Sequence, residues 1–136
     1  MNLVFRGGCE LEVRTRDGRN CALLTEKQIL DDRGNLYRMP VGATSDGAST
    51  PRLVWSVIPP FGPWWPAAFL HDQCFRKRLE ILTTAGWTVC DFSQDESDDF
   101  INAAMFACGV DELTRAIIYK ALRAFGASAF REDRAS

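Results

Sequence analysis

Polar and apolar residues alternate at the start of the chain. Leu11 and Val13 are interleaved with Glu10, Glu12 and Arg14, the period of a strand with one wet face. Asp17-Gly18 is a two-residue hairpin signal, and a second strand is expected from Cys21 to Leu30. Asp32-Arg33-Gly34-Asn35 makes the next turn, and a third strand runs from Leu36 to Val41, with Pro40 marking its end. The pattern then changes. Residues 42–65 are small residues and prolines around a short apolar piece from Leu53 to Val57, which predicts a loop-rich segment; its Trp55, Phe61, Trp64 and Trp65 argue that it packs, or forms an interface. Pro66 suits the first turn of a helix, and 66–78 continues without a breaker. Thr83 to Asp91 reads as a connector with an extended piece at Trp87-Thr88-Val89. Ser93 and Glu96 have capping-box spacing, so a helix is expected over 94–108, stopped by Gly109 and striped by Ile101, Met105 and Cys108. Asp111 then caps a last helix over 111–125, with Leu113, Ala116, Ile117, Ala121 and Ala124 at helical spacing, before a polar, frayed tail. The pattern predicts an α+β fold in one domain: a small antiparallel β-meander over 9–41, a proline-rich loop and three helices.

Composition narrows the partners more than the fold. At 136 residues, 46% hydrophobic and 25% charged, the chain is long enough for one core and far from a disordered composition. Sixteen basic against 18 acidic residues leave a formal charge of -2, so no overall field draws in a nucleic acid, and none is expected as a partner. The opening MNLVFRGGCELEV lacks the apolar stretch of a signal peptide, and the longest apolar candidate, Val54 to Leu70, is broken by prolines, so no membrane span is expected. Five scattered cysteines with no C-x-x-C spacing read as reduced thiols of a cytosolic compartment, used as small hydrophobes.

The candidate chemistry converges on one helix. His71 is the chain's one histidine, so any imidazole chemistry passes through it. Asp72 follows it, but neighbours on a helix diverge by about 100°, so the two border one cavity without bonding each other. Asp98 lies three residues before Ile101 and seven before Met105, on the inward stripe of its helix, where a carboxylate needs a partner. With the two helices antiparallel, Asp98 would hold the imidazole in one tautomer, leaving Asp72 and Asp46 near a hard cation, Ca2+ or another divalent metal. Plainer readings stand beside each. His71 also suits a packed core histidine, Asp98 a favourable charge at a helix N-terminus, Asp46 an Asx-turn before Pro51, and Arg76-Lys77-Arg78 a solvated helix end.

Three stretches together resemble a known family: Val41-Gly42-Ala43-Thr44-Ser45-Asp46-Gly47-Ala48-Ser49-Thr50-Pro51, then Pro66-Ala67-Ala68-Phe69-Leu70-His71-Asp72, then Asp98 through Met105 to Gly109-Val110. In this order they resemble the small phage and prophage proteins grouped as domain of unknown function 1353, over roughly residues 36–126. That resemblance implies a phage or prophage origin, synthesis in the host cytoplasm and no assigned activity; Asp98 and Asp99 both stand where the family's helix carries an acid. His71-Asp72-Gln73-Cys74-Phe75 is also similar to the histidine-aspartate helix of secreted and parvoviral phospholipases A2. That likeness implies His71 as general base, Asp72 as calcium ligand and Asp98 as orienting group.

Two functions follow. One is a noncatalytic virion component of tail, connector or baseplate, with other phage structural proteins as partners and the Trp-rich loop as the interface. The other is a metal-dependent hydrolase with a lipid or cell-envelope substrate.

Overall fold

Alternation builds short strands in the computed structural model, which describes residues 1–15, 21–45 and 63–135. Strands β1 (Leu3–Phe5), β2 (Val13–Thr15), β3 (Cys21–Leu23), β4 (Lys27–Asp31), β5 (Leu36–Met39) and β6 (Thr44–Ser45) precede helix α1 (Trp65–Phe75). Strands β7 (Glu80–Thr83) and β8 (Gly86–Val89) follow it, then helices α2 (Gln94–Ala107) and α3 (Glu112–Ala135). The fold is α+β, with two antiparallel sheets among the described residues, ordered β1-β4-β5-β7-β8 and β2-β3-β6.

In the larger sheet, Phe5, Ile29, Tyr37 and Ile81 lie in register across four strands, so their side chains share one face. Phe5, Ile29 and Tyr37 are buried there, and Tyr37 meets the Phe100 ring of α2 edge-on at 5.1 Å. Each such side chain contributes about 1.5–3 kcal/mol by leaving water. The smaller sheet pairs Cys21 with Ser45 and Ala22 with Thr44, which brings the end of β6 alongside α1.

Several elements depart from the sequence pattern for identifiable reasons. The strand expected from Cys21 to Leu30 is two strands in different sheets, because one continuous strand would turn Thr25 and Lys27 to the same face as the buried Leu23 and Ile29. The chain bends there instead. The sheet is also not finished before the helices. Beyond α1 the chain re-enters it as a β7–β8 hairpin, where a connector was expected, turning through Gly86 at φ 100° and carrying Trp87 beneath the Arg38 guanidinium. Strand β1, with Leu3 and Phe5 inward and Val4 outward, lies ahead of the expected meander.

The helix ends are chemically explicit. Ser93 and Glu96 close the capping box that their spacing predicts, and Gly109 at φ 76° ends α2 with Val110 N–H donating to Met105 O. The end of α1 uses the same geometry with Lys77 at φ 55°, Arg78 N–H donating to Gln73 O at 2.9 Å. Helix α3 passes through Gly126 to Ala135, and its buried stripe is Ile118 and Leu122, while Leu113 is 70% exposed. The expected frayed tail is therefore helix. Arg134 anchors it, donating to Phe75 O at 2.7 Å, to Cys74 O, to Phe92 O and to the Asp91 carboxylate. That guanidinium, with Lys77 beside it, holds the Asp91 carboxyl below its ordinary value. A Cβ at Gly126 would meet Gln94 Nε2 at an ordinary 3.5 Å, so Gly126→Ala is expected to raise stability by about 0.5–1 kcal/mol, read as a higher thermal midpoint.

The cysteines divide. Cys9 and Cys108 form a disulfide with Cα atoms 5.7 Å apart, which corrects the reading of all five as reduced thiols, whereas Cys21, Cys74 and Cys90 are free and buried. Among the described residues no helix is long and apolar enough to cross a membrane.

Candidate functional site

Helix α1 is buried on more than its apolar side. Phe69, Leu70, Cys74 and Phe75 are inaccessible or nearly so, and the polar run between them is equally enclosed, with His71 1%, Asp72 1% and Gln73 0% exposed. Buried polar groups need partners, and two different neighbours supply them.

On one side stands β6. The Asp72 carboxylate accepts from the Ser45 hydroxyl, and Gln73 Nε2 donates to Thr44 O at 2.7 Å and to Phe69 O at 3.3 Å. Arg76 donates to the same Thr44 carbonyl at 3.0 Å and Arg78 to the Thr44 hydroxyl at 3.0 Å. On the other side stands α2. His71 Nε2 lies 2.9 Å from Asp98 Oδ1, with Asp98 0% exposed, and the Phe75 ring lies against the imidazole at 4.1 Å between centroids. Asp98 Oδ2 accepts from Arg123 of α3 at 3.2 Å, and Arg123 also pairs with Asp95. Asp99 points elsewhere and accepts from Tyr119 at 3.2 Å, so Asp98 is the acid that faces the histidine.

Three of the four sequence candidates lie among the described residues. His71 and Asp98 meet; Asp72 faces Ser45; Asp46 lies outside the described residues, as do Trp55 and Phe61. Trp64 and Trp65 are half-buried against the core, and Trp65 packs edge-on with Phe69 at 5.6 Å. Among the described residues no group of three His, Cys, Asp or Glu side chains is placed to hold a metal ion. Ser45, Gln73 and Arg123 were not anticipated. Gln73 adjoins the His-Asp pair, and Arg123 stands beside Leu122 on the inward stripe of α3, which were the available signals. A cleft of about 220 Å³ over Tyr37, Phe92 and Phe100 is lined by neither His71 nor Asp98.

These features define a small α+β protein in which a buried central helix sets a histidine against an aspartate of a second helix. The model of a family described as "Protein of unknown function (DUF1353)" matches residues 22–122. The chain belongs to that family, and the matched region contains both His71 and Asp98. Neither a curated protein nor a solved structure matches the chain.

Proposed function

We propose that the chain is a hydrolase in which His71 is the general base and Asp98 fixes its tautomer. The observation that carries this reading is the polarity of the dyad. Asp98 accepts on both oxygens, so Nε2 of the neutral imidazole is the donor, and the Nδ1 lone pair is left with no hydrogen-bond partner among the described residues. A buried acceptor left in that state costs about 1–3 kcal/mol, which a water or a substrate donor would relieve.

The remaining groups point to water as the nucleophile. Ser45 gives its hydroxyl hydrogen to Asp72, not to His71. Burial pushes the Cys74 thiol well above its usual range, and burial with the nearby Glu80 pushes the Cys90 thiol up to about 11, so neither is a ready thiolate. In the proposed step His71 Nδ1 takes a proton from water as its oxygen bonds to an ester carbonyl carbon. The imidazolium then returns that proton to the departing alkoxide. Asp72 is the described residue that would hold a divalent cation such as Ca2+, which when bound would polarise the carbonyl; Asp46 lies outside the described residues.

A second reading rests on the 1% exposure of His71. In it the dyad is a buried polar network holding α1 to α2 in a noncatalytic component of a phage particle.

The test uses phospholipid vesicles, with calcium or a chelator, and reads released fatty acid for the parent and His71→Gln, whose amide still donates to Asp98 but offers no base. Turnover by the parent, reduced about 10³-fold or more in a variant that unfolds at nearly the parent's temperature, is the expected result. No turnover, with His71→Gln sharply destabilised, would favour the structural network.

A further inference from the structure

The dyad has a third member that the family match does not reach. The match ends at residue 122, and the next residue, Arg123 on α3, sets its Nη1 3.2 Å from Asp98 Oδ2 while also pairing with Asp95. Asp95 and Asp98 are three apart on α2, so both face the same α3 turn. Arg123 is 41% exposed at its side chain and Asp98 is 0% exposed, so the guanidinium stands at the boundary between solvent and the buried pair. Its head is held from outside by Asp95, which is 76% exposed, and reaches inward to Asp98.

A carboxylate aimed by one hydrogen bond alone can turn about its terminal torsion, which is broad. With Oδ2 held by an N–H of Arg123 Nη1, a head that Asp95 also grips, that turn is blocked and Oδ1 stays directed at His71 Nε2. We infer that Arg123 is a positioning residue for His71: by clamping Asp98 it selects the Nε2–H tautomer and so keeps the Nδ1 lone pair available. This rests on the reading of His71 as base, and it makes the docking of α3 a condition for a competent histidine.

Because His71 is the one histidine of the chain, protein labelled with ¹⁵N-histidine gives one imidazole, whose nitrogen shifts report which nitrogen carries the proton in the neutral ring. The parent is expected to show Nε2–H alone. Arg123→Gln is expected to lose that single-tautomer pattern and show averaged shifts. Asp95→Asn, which weakens the α2–α3 seam but leaves Arg123 on Asp98, is expected to lower the thermal midpoint and keep the parent pattern. A parent-like spectrum in folded Arg123→Gln overturns the inference and leaves the base reading standing. Nδ1–H in the parent itself overturns both. Should Arg123→Gln not fold, Arg123→Met decides: its side chain has no N–H to offer Asp98, so mixed tautomers support the clamp and a parent-like spectrum refutes it.

Discussion

Replacing Asp98 is expected to separate the stability of the fold from the competence of the histidine. Asp98→Ala removes the acceptor for a buried imidazole and for Arg123 at once, leaving a cavity and a stranded imidazole N–H. Leaving a buried donor without its acceptor costs about 1–3 kcal/mol. Arg123 is 41% exposed and regains water when released, so the low end of that range is expected, read as a fall in the urea midpoint. Asp98→Asn keeps the volume and one acceptor oxygen for Arg123. Its amide, however, turns a donor toward His71 Nε2, which must then accept, moving the ring proton to Nδ1. If His71 is the base, activity falls about 10³–10⁴-fold in a variant that stays folded. An asparagine variant with parent activity would remove Asp98 from the mechanism.

The second large effect is that of the Cys9–Cys108 disulfide. The pair is separated by 99 residues in sequence, and closing a loop of that length restricts the unfolded chain by about 4–5 kcal/mol in the chain-entropy account. Cys9→Ser, Cys108→Ser and reduction of the parent should therefore lower stability by similar amounts, and reductant should do nothing further to either variant. Unfolding with and without reductant checks this, together with a thiol count on the denatured protein. Cys21, Cys74 and Cys90 should be the free thiols of the oxidised form. A parent indifferent to reductant would mean that the bond contributes nothing measurable.

The half of the site that depends on local pattern was legible in the sequence. Asp98 falls on the stripe of Ile101 and Met105, and the structure buries all three, leaving Asp99 to Tyr119. The capping box at Ser93 and the glycine stop at Gly109 likewise act within a few residues of themselves. What was not legible depends on distant segments. Strands of three or four residues, such as β1 and β7, carry too few alternations to stand out, and the sheet that pairs them supplies the reason for their existence. The last helix is expected to end at residue 125, one short of Gly126, because glycine commonly ends helices, yet α3 runs on through it to the Arg134 anchor. Arg123 and Ser45 gain their meaning only when α3 and β6 dock on their neighbours. Five cysteines read as an odd set of thiols because spacing alone does not tell which two meet.

The placing of α1 between sheet strands also has a kinematic consequence. The helix is fastened to β6 by Asp72, Gln73 and Arg76, and the chain leaving it goes directly into β7, locked against β5. His71 therefore rides on the fixed part of the molecule. The partner helix is tethered as well: Arg134 pins α3 to the end of α1, and Cys108 at the end of α2 is linked to Cys9, so parting Asp98 from His71 strains one tie or the other.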